Sequence, residues 1–179
     1  MWLLDEQFLY FEGKSEEKIK DITYKNEKII REDLTEGEKG ELLSFNEDLT
    51  KNGVDLIFFP NDAKCIIIEL KDPKINDLNI SQIDRYTMLV TKYIKEKFKI
   101  QMFYTYLITE NFNDIHVPND FTKMYGINSY FKPTYQIRDS GAFQYTEIIS
   151  YTDVYKRASK RNNIFFEKLN LKEHDKNNS

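Results

Sequence analysis

Two short apolar segments that carry charged residues constrain this chain more than any other feature. The first spans residues 53–60 and the second spans residues 65–71, and both are rich in β-branched and aromatic residues. Runs of this kind, joined by a short Pro-Asn-Asp turn, predict two buried strands. Burying a charge is costly unless the charge is paired or bound to a metal. The presence of Asp55, Glu69 and Lys71 in these strands therefore calls for a specific explanation.

The geometry of a strand predicts that these charges meet. Successive side chains of a strand point to opposite faces, so Glu69 and Lys71 share one face. If the two segments pair as a hairpin, Asp55 lies beside Glu69. Two carboxylates this close repel each other, which raises the pKa of one of them. A bound cation removes this repulsion. The pattern therefore predicts a metal site.

Such a site suits hydrolysis of a phosphodiester. Mg²⁺ prefers oxygen ligands and is often held by one or two carboxylates with waters and a substrate phosphate. The metal polarises the phosphate and lowers the pKa of a bound water. A neighbouring lysine, here Lys71, orients that water and stabilises the developing negative charge.

These residues resemble a known signature. Asp55, followed after thirteen residues by Glu69-Leu70-Lys71, is similar to the motif of the PD-(D/E)XK nuclease superfamily. The downstream Gln82-Ile-Asp-Arg-Tyr86 resembles the Gln-x-x-x-Tyr element of its RecB-like members. The proline expected before the first aspartate is replaced by valine.

The resemblance implies an α/β fold with a restriction-endonuclease-like core, in which helices flank a mixed central sheet. It implies a Mg²⁺ or Mn²⁺ site formed by Asp55, Glu69 and the backbone carbonyl of Leu70. Lys71 orients the attacking water, and Gln82 supports the lysine or a water.

The helix that carries Gln82 is predicted from Ser81, its N-cap, to about Phe98. Gln82 and Tyr86 are four residues apart and share a face, which the helix brings towards the site. Alternatively, Gln82 caps the helix and Tyr86 packs in the core, and neither has a role in the site.

Residues 1–12 show helical spacing of apolar residues, which predicts an amphipathic helix. Related nucleases carry an acid on their first core helix near the metal, which makes Glu6 a supporting candidate; a solvated charge is the alternative. No cap precedes this helix, so we expect either that the native chain extends upstream or that this sequence is a trimmed form of it.

The remaining elements are predicted from local patterns. We expect a strand or hairpin around Asn26, an exposed loop over residues 33–40 and a buried strand over residues 100–109 as the last of the core sheet. Residues 111–139 read as loops, with Phe143–Ile149 as a further strand. A terminal helix over residues 151–169 presents a basic face with Lys156, Lys160 and Arg161. That face contacts phosphates or a partner domain, or is simply solvated.

Length and composition favour one domain. The chain has 179 residues and a net charge of −4. The length fits one domain with a sizeable core. The resemblance implies that this is a single nuclease-like domain, with a core at about 1–110 and a C-terminal extension at about 111–179. The acidic balance argues against strong nonspecific DNA binding. No apolar run is long enough to cross a bilayer, and the lone Cys65 excludes a disulfide framework, so we expect a cytoplasmic protein that does not enter membranes.

A second resemblance covers nearly the whole chain. The opening Trp-Leu-Leu-Asp-Glu, the central Ile-Ile-Ile-Glu-Leu-Lys-Asp-Pro and the closing Arg-Ala-Ser-Lys-Arg-Asn-Asn-Ile-Phe-Phe-Glu-Lys-Leu are similar to the C-terminal nuclease-like module of bacterial GHKL-type ATP-binding proteins. A looser similarity links the chain to Shedu-type defence proteins. The resemblance implies an effector domain of a prokaryotic anti-phage defence system, with an ATPase or sensor domain or subunit as partner.

Two functions follow. The first is a Mg²⁺-dependent deoxyribonuclease that cuts DNA, which we expect to act as a homo-oligomer. The alternative is a catalytically inactive nuclease-like module that binds nucleic acid or assembles subunits. The joint presence of Asp55, Glu69, Lys71 and Gln82 favours the nuclease.

Overall fold

The structure is a computed structural model and describes residues 12–15, 19–49, 55–59, 63–72, 78, 80–110, 112, 114 and 116–168. Within them the strands are β1 (Glu12–Ser15), β2 (Thr23–Tyr24), β3 (Glu27–Lys28), β4 (Leu56–Phe59), β5 (Lys64–Leu70), β6 (Met102–Ile108), β7 (Thr122–Lys123), β8 (Ser129–Gln136) and β9 (Phe143–Ile149). The α-helices in the same residues are α1 (Glu36–Leu49), α2 (Ile80–Tyr93) and α3 (Tyr151–Lys168).

Seven of the described strands form one mixed sheet in the order β1-β4-β5-β6-β9-β8-β7. The neighbours β4 and β5 are antiparallel, whereas β6 lies parallel to both β5 and β9. The predicted α/β class with a mixed sheet and flanking helices is confirmed. The three strands predicted for the core are all present, and β5 is an inner strand.

The crossover from β5 through α2 to β6 sets the direction of the helix. Because β5 and β6 are parallel, α2 has to run back along the sheet, and its first turn lies near the carboxyl-terminal end of β5. Helix α2 begins at Ile80, so Ser81 lies inside its first turn and the predicted N-cap position is wrong. The helix ends at Tyr93, and a separate 3₁₀ turn covers Glu96–Phe98.

The prediction that β6 is the last strand of the core sheet is wrong. Strand β9 pairs in parallel along the full length of β6, and β8 pairs with β9. The region predicted as an extension therefore adds three strands to the same sheet. Part of the region predicted as loops is strand β8, where Pro133 falls at an irregularity in the pairing between Lys132 and Tyr135, a position that tolerates the missing N–H of proline.

The two faces of the sheet have separate cores. On the face that we call the α2 face, Ile67 and Phe103 pack with Tyr86 and Val90 of α2. On the opposite face, which we call the α3 face, sheet residues such as Ile68 pack against Tyr151 and Val154 of α3. Period-two alternation along β5 therefore places Glu69 on the α2 face with Ile67.

The hairpin predicted around Asn26 is confirmed as β2 and β3. Lys25 and Asn26 both have positive φ, at 52° and 61°, which is the backbone of a tight two-residue hairpin turn. The exposed loop predicted over residues 33–40 is wrong, because α1 begins at Glu36. Thr35 and Glu38 form a reciprocal capping box: the Thr35 N–H donates to Glu38 Oε2 at 2.8 Å, and the Glu38 N–H donates to Thr35 Oγ1 at 3.3 Å.

The terminal helix is confirmed as α3. None of the helices in the described ranges is long and apolar enough to cross a membrane. The helix predicted over residues 1–12, together with Glu6, lies outside the described residues apart from Glu12, which begins β1.

Candidate active site

The antiparallel register of β4 and β5 sets Asp55 against Glu69. Leu56 pairs with Ile68 and Ile57 pairs with Ile67, so the next position along both chains places Asp55 opposite Glu69. Side chains in such a pair lie on the same face, with Cβ atoms about 5 Å apart. The hairpin that the sequence predicted therefore brings both carboxylates to the carboxyl-terminal end of β5.

The carboxylate of Asp55 contacts the neighbouring strand directly. Its Oδ2 accepts a hydrogen bond of 2.6 Å from the backbone N–H of Leu70. In a strand, the N–H and C=O of one residue point to the same side. The carbonyl of Leu70 therefore also faces the side on which Asp55 lies.

Glu69 and Lys71 form an ion pair at this end of β5. The Lys71 ammonium lies 2.9 Å from Glu69 Oε1, and the two side chains are only 11% and 3% exposed. The pair lies on the α2 face, as the alternation of the strand predicts. Burial removes most of the water that would screen the pair, so the positive charge is held firmly beside the carboxylate.

Gln82 and Tyr86 lie on the buried face of α2. Gln82 is 8% exposed and Tyr86 is 1% exposed. Ile83, the neighbour of Gln82, packs with Leu107, and Leu107 pairs with Glu69 across the sheet. The first turn of α2 therefore lies at the strand end that carries Glu69. Tyr86 belongs to the main core cluster, which agrees with the packing role that was its alternative.

Tyr151 is a site residue that the sequence did not indicate. Its hydroxyl donates a hydrogen bond of 3.1 Å to the backbone carbonyl of Lys71. Burial raises the pKa of Tyr151, and the nearby carboxylates of Asp55 and Asp72 raise that pKa further. The raised pKa keeps the hydroxyl of Tyr151 neutral and able to donate. The first residue of α3 thus holds the end of β5 in place. No local pattern marks this contact, because it depends on where α3 returns to the sheet.

The basic face that was predicted for the terminal helix does not lie beside Glu69. Helix α3 packs on the α3 face, opposite to the face that carries Glu69. Lys156 is mostly exposed and pairs with Asp153 at 3.1 Å, and Lys160 and Arg161 are exposed. The structure does not bring these cations to Glu69, and their contact with nucleic acid stays a prediction.

A second buried ion pair fixes α3 to the sheet. Arg157 lies 2.6 Å from Glu147, and the side chains are 16% and 1% exposed. Ser129 and Tyr145 also donate hydrogen bonds to Glu147. Glu147 is a charged residue within a predicted strand, and a charge within a predicted strand is also what drew attention to Glu69.

The donors at the end of β5 fit a hard divalent cation. Asp55 and Glu69 supply carboxylate oxygens, and Leu70 supplies a carbonyl oxygen, which are the ligand types that Mg²⁺ and Mn²⁺ prefer. Within the described ranges, no group of three or more His, Cys, Asp or Glu side chains is arranged to hold a metal. A cation here would therefore rely on two carboxylates, a carbonyl, water and a substrate phosphate.

Comparison with known proteins identifies no relative. No protein-family model, no curated protein and no solved structure matches the chain.

Proposed function

We propose that the chain is a metal-dependent nuclease that hydrolyses phosphodiester bonds of DNA. The proposal is carried by the ion pair of Lys71 with Glu69, at 2.9 Å, at a strand end where the register of β4 and β5, continued by one residue, sets Asp55 opposite Glu69. Two carboxylates and a lysine that converge in this way match the needs of phosphodiester hydrolysis better than those of a passive core.

Each residue has a distinct role in the proposed reaction. Asp55, Glu69 and the Leu70 carbonyl would hold Mg²⁺ or Mn²⁺, which when bound polarises the phosphate and lowers the pKa of a water. Lys71 orients the attacking water and stabilises the negative charge that builds on the phosphate. Gln82 supports Lys71 or a water from the first turn of α2. Tyr151 fixes the backbone at Lys71 through its hydrogen bond to the carbonyl.

A nicking assay tests the proposal. Supercoiled plasmid and labelled linear DNA are incubated with the protein and Mg²⁺ or Mn²⁺, with EDTA as the control. We expect metal-dependent cleavage in the wild type and loss of cleavage in Lys71→Ala, because that variant lacks the cation where charge develops. We expect slow turnover, because an acidic chain gains little from the field of DNA. Metal-dependent cleavage that is equal in the wild type and in Lys71→Ala would contradict the proposal.

One observation favours the alternative of an inactive nuclease-like module. Asp55 already accepts the N–H of Leu70, and Glu69 already pairs with Lys71. These contacts would also stabilise a strand end that performs no chemistry. Absence of cleavage with any metal, also in the presence of a partner ATPase, would favour this alternative.

The biological setting is a proposal that rests on the sequence: its defence role and partner on the resemblance, and its location on the lone Cys65 and the lack of a long apolar run. It comprises an effector role in anti-phage defence, a partner ATPase or sensor, homo-oligomeric assembly and a cytoplasmic location. Infection of cells that carry the wild-type or the Lys71→Ala gene with its neighbouring genes tests this role, and equal phage yields would contradict it.

A further inference from the structure

A cavity of about 220 Å³ lies at the end of β5 that is remote from Glu69. Four parts of the chain line it: the hairpin of β2 and β3 with Ile29, Phe59 at the end of β4, the start of β5 at Ala63 and Lys64, and residues 97–100. The two ends of a seven-residue strand are roughly 20 Å apart. The cavity is therefore a separate place from the candidate active site.

Four lysines line this cavity, namely Lys25, Lys64, Lys97 and Lys99. This is a local concentration of positive charge in a chain whose net charge is −4. Lys99 pairs with Glu96 at 3.3 Å, and Lys97 pairs with Glu27.

The carboxylates leave an excess of positive charge at the cavity. Glu27 is shared with Lys95, which lies 3.0 Å from Glu27 and 3.6 Å from Glu32. The hydrogen bonds of Lys97 and then of Lys95 lower the pKa of Glu27. Lys64 forms no ion pair with any residue that the structure describes. Among the residues that the structure describes, the lysines around the cavity thus outnumber the carboxylates that pair with them.

Aromatic rings form the apolar part of the wall. The ring of Tyr24 lies 5.8 Å from that of Phe59 and 5.8 Å from that of Phe98, measured between centroids. The Lys25 ammonium lies 5.0 Å from the centroid of Tyr24, and the Lys97 ammonium lies 5.1 Å from that of Phe98. Two of the lining lysines therefore lie over aromatic rings of the same wall.

We propose that this cavity binds a nucleotide. Lysine ammoniums suit the phosphate, because hydrogen bonds between charged groups are strong. Rings of tyrosine and phenylalanine suit the base, which stacks on them whatever its identity. The small volume excludes a duplex. The ligand is either a free nucleotide or the end of a nucleic acid strand, and the site operates whether or not the chain cleaves DNA.

Titration calorimetry in EDTA tests this site without any contribution from a metal. The probes are a nucleoside monophosphate, the matching nucleoside, inorganic phosphate and a single-stranded oligonucleotide with a 5′ phosphate. We expect the nucleotide to bind more tightly than either the nucleoside or phosphate. The double variant Lys64→Gln/Lys99→Gln should weaken nucleotide binding at least about tenfold, because two charged contacts are lost.

Two further variants serve as a charge control and as a test of the aromatic rings. The matched control Lys39→Gln/Lys123→Gln removes two exposed lysines that also form ion pairs elsewhere, and binding should stay within about twofold. Tyr24→Leu should weaken binding of the nucleotide and leave binding of inorganic phosphate unchanged. Unfolding midpoints confirm that each variant is folded.

The two sources of ligand give different results, and both support the proposal. Tighter binding of the oligonucleotide assigns the cavity to a nucleic acid end, whereas tighter binding of the mononucleotide assigns it to a free nucleotide. The proposal is overturned if neither binds, if the nucleotide binds no more tightly than phosphate, or if the lysine double variant binds as the wild type does.

Discussion

The Oδ2 atom of Asp55 lies 2.6 Å from the backbone nitrogen of Leu70 and accepts its hydrogen bond. This contact joins the ends of two adjacent strands at the position where the second carboxylate, Glu69, is also found. A carboxylate that accepts a backbone N–H is held in one place. The carboxylate of Asp55 is therefore fixed at the end of β5, beside Glu69.

Replacement of Asp55 should weaken metal binding. Asp55→Asn keeps the shape of the side chain and removes the charge, so we expect the affinity for Mn²⁺ to fall about tenfold or more, as the loss of one charged ligand implies. Calorimetry with Mn²⁺ measures the change. The matched control is Asp72→Asn, which removes an exposed carboxylate close by and should leave the affinity unchanged. Equal loss in both variants would show a diffuse charge effect instead of a site.

Removal of the Tyr151 hydroxyl should loosen the end of β5. Tyr151→Phe deletes the donor to the Lys71 carbonyl, and we expect the free energy of unfolding to fall by about 1 kcal/mol. Urea denaturation measures it. Tyr155→Phe is the control, because Tyr155 lies on the same helix and is 73% exposed. A fall of the same size in Tyr155→Phe would contradict the role of this hydrogen bond.

Loss of Arg157 should be more costly than loss of a surface cation. Arg157→Ala leaves Glu147 buried without its ion-pair partner, and we expect the free energy of unfolding to fall by about 3 kcal/mol or more. Lys160→Ala removes an exposed lysine of the same helix and should change stability by less than about 0.5 kcal/mol. The double variant Glu147→Gln/Arg157→Ala should recover part of the loss. If the double variant is less stable than Arg157→Ala, an unpaired Glu147 is not the cause of the loss of stability.

Protonation of Asp153 at low pH should destabilise the start of α3. Burial by itself would raise the pKa of Asp153, but hydrogen bonds from the Asn128 N–H, Lys156 and Ser150 outweigh burial and hold that pKa below its ordinary value of 3.8. A group whose pKa is lower in the folded protein stabilises the fold above its ordinary pKa, and this contribution is lost as the pH falls through the folded-state value. Asp153→Asn should therefore reduce the pH dependence of unfolding below about pH 4. An unchanged pH profile in that variant would contradict the assignment.

Much of the sheet was predictable because its strands have strong local patterns. The run from Cys65 to Leu70 is apolar and β-branched, and a short turn separates it from β4, so the hairpin and the face of Glu69 followed from the sequence. The turn at Lys25-Asn26 was equally local. These features depend on neighbours in the chain and on side-chain alternation.

The features that were missed depend on distant pairing or on an overlooked cap. The place of β9 beside β6 is set by tertiary contacts that no local pattern encodes. The contact of Tyr151 with Lys71 joins residues that are 80 positions apart in the chain, so no local pattern encodes it either. Helix α1 is different, because Thr35 and Glu38 display a capping box in the sequence, and the polar composition of the segment masked it.

The central claim is that Glu69 serves chemistry and does more than fill a buried position. The most direct measurement compares DNA cleavage by Glu69→Gln and by Glu147→Gln, in Mg²⁺ or Mn²⁺ and in EDTA. Both variants neutralise a glutamate whose side chain is at most 3% exposed, but Glu147 lies on the α3 face, away from the proposed metal. We predict that Glu69→Gln abolishes metal-dependent cleavage while Glu147→Gln, once shown to be folded, retains it. Cleavage by Glu69→Gln at the rate of the wild type would contradict the account.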